Sequence, residues 1–303
     1  MPVGIDIGGT KIAAVLVAPD GTVAKSAETP TPQGPRAVLD AAAALAMPLL
    51  GSAPKDAVGV GTAGTVDPRD GSIRYATDSI PGWTGTRVAG ELAARLGRPV
   101  VVDNDVNAAA LGESWAGAGR GHRDLLLVAI GTGLGAGLIR GGRIERGSRG
   151  AAGEIAHLPT PGAEHLRCGC GRFGHLESLA SGTGLANAYR LASPHSPHSA
   201  PSGQEAVSGR GVAALAAQGD PVAREVVAAA GTALGRALAG LVALLDPAVV
   251  VLAGGASPSL LDSVQTAYED ELLPAWAHVP LLPATLGPAA VAVGAARLAW
   301  EAS

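Results

Sequence analysis

Short apolar runs bounded by glycine or proline alternate along this chain with alanine-rich stretches of helical period. Residues 3–7, 13–17 and 22–28 read as three successive strands, with Pro19-Asp20-Gly21 as the turn between the second and third. A helix over 35–50 follows, with Gly34 before it and Pro35 in its first turn. The pattern continues as a strand at 57–62, a helix at 85–96, a strand at 99–102 and a helix at 106–116. This order, βββαβαβα, then restarts with strands at 124–130, 134–139 and 142–145. Helices at 181–192, 209–217 and 220–245 lead to a buried strand at 248–252. The two strand triplets read as an internal duplication.

With 303 residues there is ample length for a buried core in one large domain or two ordinary ones. A net charge of −4 and a pI near 6.0 argue against a nucleic-acid partner, which selects for a basic face. Lysine occurs only at positions 11, 25 and 55, while alanine, glycine and arginine abound, a coding bias that says little about mechanism. The chain enters its first strand at Val3 without a basic-then-hydrophobic leader, and its longest apolar runs, such as 237–245, are short of a membrane span. The expectation is a cytoplasmic protein with no membrane partner. The one low-complexity stretch, from Ser193 to Gly203, carries His195 and His198 and reads as a solvated loop rather than a metal site.

Both cysteines lie in Cys168-Gly-Cys170-Gly-Arg-Phe-Gly-His175-Leu-Glu177, behind Gly153-Glu154-Ile-Ala-His157. A disulfide across one residue would close a small, strained ring. His157, Cys168, Cys170 and His175 supply two imidazoles and two thiolates, a tetrahedral set for structural zinc, with Glu154 and Glu177 beside them. The plain alternative is two buried, unreactive cysteines and two surface histidines.

Phosphate chemistry enters at Asp6-Ile-Gly8-Gly9-Thr10-Lys11, in the turn between two strands. Its paired glycines let the backbone approach a bulky anion, whose oxygens their N–H groups and the Thr10 hydroxyl can bond. Asp6, at the strand end, is placed to orient Mg2+ through water. Turn chemistry alone also asks for glycine here. The second triplet repeats the device in Gly131-Thr132-Gly133, however, and Gly254-Gly255 follows the strand at 248–252 as an adenosine-holding loop would. Asn104 and Asp105, at a strand-to-helix junction, suit either a helix cap or a carboxylate that accepts a hydroxyl proton during phosphoryl transfer.

These are marks of the actin and hexokinase ATPase superfamily. Four motifs occur in order: Asp6-x-Gly-Gly-Thr-Lys, Val102-Asp103-Asn104-Asp105-x-Asn107, Gly153-Glu154-x-x-His157 and Cys168-x-Cys170-Gly-x-x-Gly174-x-x-Glu177. Together they resemble the ROK family of bacterial sugar kinases, most closely its glucokinase-like branch. One departure is His175, which stands where the family usually has a third cysteine; zinc accepts either ligand.

The resemblance implies an α/β, actin-like ATPase (ribonuclease H-like, duplicated) fold with two lobes and a central cleft. The expected small lobe is 1–107 with a returning helix at 288–303, and the large lobe is 108–287 with the zinc. ATP and Mg2+ are implied as cofactors, held by Asp6, Gly8, Gly9, Thr10, Lys11, Gly131, Thr132, Gly133, Gly254 and Gly255. Asp105 is implied as general base. Sugar contacts carry over to Asn104, Asp105, Glu154, His157 and Glu177, with Gly64 letting backbone approach the sugar. The implied reaction phosphorylates the 6-hydroxyl of glucose or a close amino sugar. Kanosamine (3-amino-3-deoxyglucose), fructose, N-acetylglucosamine and N-acetylmannosamine are the alternatives. A ROK-type sugar-sensing repressor is disfavoured, because the first motif begins at residue 6 and leaves no room for a DNA-binding segment. A homodimer or a tetramer is the implied assembly.

Overall fold

Alternation of the buried β-branched Val3, Ile5 and Ile7 with Gly4 and Asp6 makes β1 (Val3–Ile7) and drives it into the centre of a sheet, while β2 (Lys11–Val17) and β3 (Val23–Pro30) fold back beside it. The computed structural model describes residues 1–51, 56–77, 79–193, 207–275 and 278–302. The predicted His195 and His198 therefore lie outside the described residues. Helix α1 (Pro35–Ala46) stops short of the predicted residue 50. Pro48 has no N–H for the helical ladder, so the chain tightens there into a 3-10 turn, Met47–Leu49.

β4 (Val58–Thr62) is buried throughout. Next comes a two-stranded hairpin that the apolar pattern does not reveal, β5 (Thr65–Val66) and β6 (Ile73–Tyr75). α2 (Val88–Leu96) starts later than the predicted residue 85, because the Gly85 N–H is bonded to the Ile73 carbonyl at 2.7 Å. β7 (Val100–Asn104) and α3 (Asp105–Ala116) complete the first half.

The second half repeats the order. β8 (Leu125–Ile130), β9 (Leu134–Arg140) and the short β10 (Arg143–Ile144) are followed by α4 (Glu177–Ala180), α5 (Gly182–Ala192), α6 (Gly209–Ala217) and α7 (Pro221–Leu245). Then come β11 (Val249–Ala253), α8 (Ser257–Glu271), β12 (Leu281–Pro283) and α9 (Ala290–Ala302). The sheets run β3-β2-β1-β4-β7 and β10-β9-β8-β11-β12. One connection pattern thus occurs twice, which is the predicted duplication.

Two compact units result: Met1–Leu127 with Gly137–Gly153 and Ala284–Ser303, and Val128–Ala136 with Glu154–Pro283. In the first, α9 lies on β1 and β4 and against α3 through the small buried residues Ala292, Ala295 and Ala296. The fully buried Trp83 donates its indole N–H to Thr62 Oγ1 at 3.1 Å, and Thr62 Oγ1 donates to the Ile7 carbonyl at 3.1 Å, locking the ends of β4 and β1 together. In the second, the 25-residue α7 packs on α6 and α8. Its length and composition would suffice to cross a membrane, since the helix continues through glycines that break up the apolar run in the sequence.

Candidate active site

Register explains why the first two motifs meet. In the first sheet Ile7 lies beside Thr62, and Thr62 beside Asn104, along parallel strands. The loops after β1, β4 and β7 therefore leave the same sheet edge, the carboxyl end where open α/β sheets bind ligands. Asn104 caps α3: its Oδ1 accepts from the N–H groups of Val106 at 2.9 Å and Asn107 at 3.2 Å. Its amide donates to the Gly64 carbonyl at 3.1 Å. Gly64 has φ +100, and a Cβ there would meet the Tyr75 carbonyl oxygen at 2.6 Å, so no other residue fits that acceptor position.

Asp105 opens α3 and accepts from Val106 N–H at 2.9 Å. Of the two readings of the Asn-Asp pair, the helix cap is what these bonds display, with Asn104 as the capping residue. Burial raises the Asp105 carboxyl above the ordinary aspartate range. Asp6 is pushed up to about 7, first by burial and then by the negative charge of Asp105, with Lys11 pulling the other way. Lys11 itself is exposed and paired with Glu28 at 2.9 Å. In the turn between them, Gly8 N–H donates to the Lys11 carbonyl at 3.1 Å, the Thr31 hydroxyl donates to the Gly8 carbonyl at 2.6 Å, and Thr31 N–H donates to the Thr10 carbonyl at 3.0 Å. Gly9 packs against the Ser79 backbone.

The second unit gathers the remaining residues. Gly131 and Thr132 accept, through their carbonyls, from Gly182 N–H at 2.9 Å and Thr183 N–H at 3.1 Å at the start of α5. Gly254 has φ +94, with its α-carbon against the Ile130 backbone, where a Cβ would sit 2.4 Å from the carbonyl oxygen. This brings Gly254 and Gly255 to the end of β8, beside the Gly131–Gly133 turn. Leu134 N–H lies 3.4 Å from Glu177 Oε2, so the predicted sugar-reading Glu177 stands next to the predicted phosphate hairpin.

A small knuckle forms the metal candidate. Cys168 N–H bonds the Arg172 carbonyl at 2.8 Å, and Leu176 N–H the Leu158 carbonyl at 2.9 Å, bringing the two histidine rings to 5.2 Å. Ligand atoms of His157, Cys168, Cys170 and His175 all lie within 4.8 Å of one another. The contacts Cys168 Sγ to His157 Nδ1 and Cys170 Sγ to His175 Nδ1 are 3.8 and 3.4 Å. Zinc–sulfur and zinc–nitrogen bonds at the tetrahedral angle require S···N edges of about 3.6 Å, so the donor set fits the ion. His157 offers Nδ1 to this cluster and keeps Nε2 for Glu154 Oε2, 3.8 Å away. Cys168 is buried and its thiol lies 3.2 Å from Glu177 Oε1. Burial, with the Glu177 charge adding to it, pushes that thiol up to about 12, a proton that metal binding must displace.

Sequence reasoning named Asp103 and Asn107 only as motif letters, and Arg146 not at all. The structure ties them together. Asp103 accepts from Asn104 N–H at 2.8 Å, Asn107 Nδ2 at 2.9 Å and Arg146 Nε at 2.6 Å. A charged residue following the apolar run Val100-Val101-Val102 within one strand is the signal available.

Known proteins resemble this chain along nearly its whole length. A glucokinase of Streptomyces coelicolor is 36% identical over 313 aligned residues, covering 99% of this chain and 98% of that protein. An N-acetylmannosamine kinase of Escherichia coli is 34% identical over 302, covering 97% of each. The crystal structure of a ROK family glucokinase from Streptomyces griseus in complex with glucose and AMPPNP superposes with a TM-score of 0.82 at 35% identity, covering 99% of both chains. The fold is therefore the actin-like ATPase fold of these kinases. With the ROK family profile matching residues 2–302, the chain belongs to the ROK family.

Proposed function

We propose that this protein is an ATP-dependent hexose kinase that phosphorylates the 6-hydroxyl of glucose or a glucose-like amino sugar. The observation that carries the reading is Asp105, a carboxylate of raised proton affinity at the start of α3, next to the capping Asn104. In the proposed reaction the sugar oxygen attacks the γ-phosphorus and the bond to the β–γ bridging oxygen breaks. The hydroxyl proton passes to Asp105, and ADP leaves. A carboxylate with a raised pKa is the better proton acceptor for that step.

Asn104, Glu154, His157 and Glu177 read the sugar hydroxyls, with Gly64 admitting the ring close to backbone. The glycine turns at Gly8-Gly9, Gly131–Gly133 and Gly254-Gly255, with Thr10 and Thr132, take the nucleotide. Half-buried Asp6 beside Asp105 suits Mg2+, which would relieve their repulsion and, when bound, neutralise phosphate charge. His157, Cys168, Cys170 and His175 would hold a zinc ion as four protein ligands, in an architectural role that would fix the His157 ring while its Nε2 lies towards Glu154.

A second reading, N-acetylmannosamine as acceptor, is favoured by the Escherichia coli relative. The exposed Glu154 carboxylate would suit the ammonium of kanosamine equally. Coupled ADP release across hexoses, amino sugars and N-acetyl sugars, compared by kcat/KM, ranks the acceptors. Sugar-independent ADP release throughout that panel overturns the kinase reading.

A further inference from the structure

Four donors converge on the Asp103 carboxylate, which is 3% exposed. Its Oδ1 takes the Asn104 N–H at 2.8 Å and Asn107 Nδ2 at 2.9 Å, both in the turn that presents Asp105. Its Oδ2 takes Arg146, through Nε and Nη2 at 2.6 Å each. Arg146 begins the strap of residues 146–153, which runs without a strand or helix into Gly153-Glu154.

A second tie holds the middle of the strap. The Arg149 carbonyl accepts from Arg74 Nη1 at 3.1 Å. Arg74 in turn donates to Asp67 Oδ2 at 2.7 Å from Nη2 and 3.1 Å from Nε. Asp67 also takes Arg69 at 2.7 Å, and the guanidinium groups, Arg69 first, hold its carboxyl well below the usual range.

A buried carboxylate is costly to desolvate, and an apolar side chain could fill position 103 with less penalty. What the carboxylate supplies is geometry. One oxygen fixes the turn and the other fixes the strap, so neither can shift without the other. We propose that Asp103 and Arg146 are positioning residues that set the Asn104-Asp105 turn and the strap delivering Glu154 in one register for the acceptor sugar. This rests on the sugar-kinase reading, since both ends of the clasp lead to residues assigned there to the sugar. Neither leads to the glycine turns assigned to the nucleotide.

Asp103→Asn keeps an acceptor for the turn and removes the charge that holds Arg146. Arg146→Lys keeps the charge and removes the fork that lets two donors share Oδ2. In both variants the KM for the best sugar should rise about 10-fold, since small misplacement of reacting groups is felt strongly, while the KM for ATP stays within about twofold. Arg74→Lys, on a side chain 38% exposed, loosens only the outer tie and should reproduce the same split at smaller size. It also keeps the test open should a buried variant fail to fold. Melting temperatures measured in parallel separate positioning from stability. Wild-type sugar constants in all variants, or sugar and ATP constants rising together with a falling melting temperature, overturn the inference alone. Wild-type protein that phosphorylates no sugar overturns the kinase reading and the clasp with it.

Discussion

At the turn from Asp103 to Asn107, polar side chains answer one another within the protein. Asn104 bonds two helix N–H groups and the Gly64 carbonyl, while Asp103 bonds the next residue, Asn107 and Arg146. At the knuckle from His157 to Glu177 the ligand side chains meet one another mainly through long sulfur–nitrogen contacts, with His157 and Cys170 exposed. The first region is organised by hydrogen bonds that exist as soon as the chain folds. The second has its donors in place, and in the reading proposed above an ion would bind them firmly. The proposed function assigns a role to each, the general base to Asp105 in the first and the reading of sugar hydroxyls to Glu154, His157 and Glu177 around the second.

The largest effect is expected in the hydrogen-bonded turn. Asp105→Asn preserves shape and the contact to Val106 N–H but removes the proton acceptor. Turnover should fall at least ~10²-fold with sugar binding retained, as expected for a positioned general base. Steady-state kinetics with an independent sugar-binding measurement provide the check. A near-normal kcat would dismiss Asp105 from the chemistry and leave the turn a structural cap.

In the knuckle, function should follow metal content. Purified protein should carry about one zinc per chain, released by chelation or by Cys168→Ser. Loss should raise the KM for sugar by roughly 10-fold through the displaced His157 and Glu177, with kcat changing less. His175→Cys should keep both metal and activity, because Nδ1 of His175 already lies 3.4 Å from Cys170 Sγ, where a thiolate would also serve. His175→Ala should weaken metal binding. Elemental analysis alongside kinetics decides: metal content that ignores the side chain at 175 would leave a three-ligand site, and zinc-free protein with full activity would make the cluster inert.

Much of this contrast is legible in the sequence. Glycine-threonine turns repeated in two strand triplets announce the duplicated sheets, and the cysteine-histidine spacing brings together the four residues that the fold does gather. What escapes is tertiary. Asp103 and Arg146 are 43 positions apart, and nothing local in either marks the other. The fully buried Glu113 accepts from the N–H groups of Thr285 at 3.1 Å and Leu286 at 2.8 Å, a staple between α3 and the approach to α9 that no periodicity encodes. Helix α8 goes unread because its polar residues outnumber the inward-turned Leu260, Val264, Ala267 and Tyr268, although Pro258 marks its first turn.

The smallest expected effect concerns the tension left in the hydrogen-bonded region. Asp6 keeps its proton up to about 7 in the folded protein, whereas in the unfolded chain it releases it near 3.8. Between those values the folded state binds more protons, so this group's contribution to stability is intact at pH below 3.8 and is lost as the pH rises through 7. Asp6→Asn removes the loss. In magnesium-free buffer the variant should melt several degrees above wild type at pH 8, where the full difference corresponds to at most about 4 kcal/mol, and close to wild type at pH 4. Magnesium should narrow the gap at pH 8 by stabilising only the wild type, because the cation compensates the charge that the asparagine lacks. Melting curves at the two pH values, with and without the ion, decide it. A variant less stable than wild type at pH 8 would mean that the Asp6 carboxylate is welcome where it sits, and that the turn carries no stored repulsion for a cation to relieve.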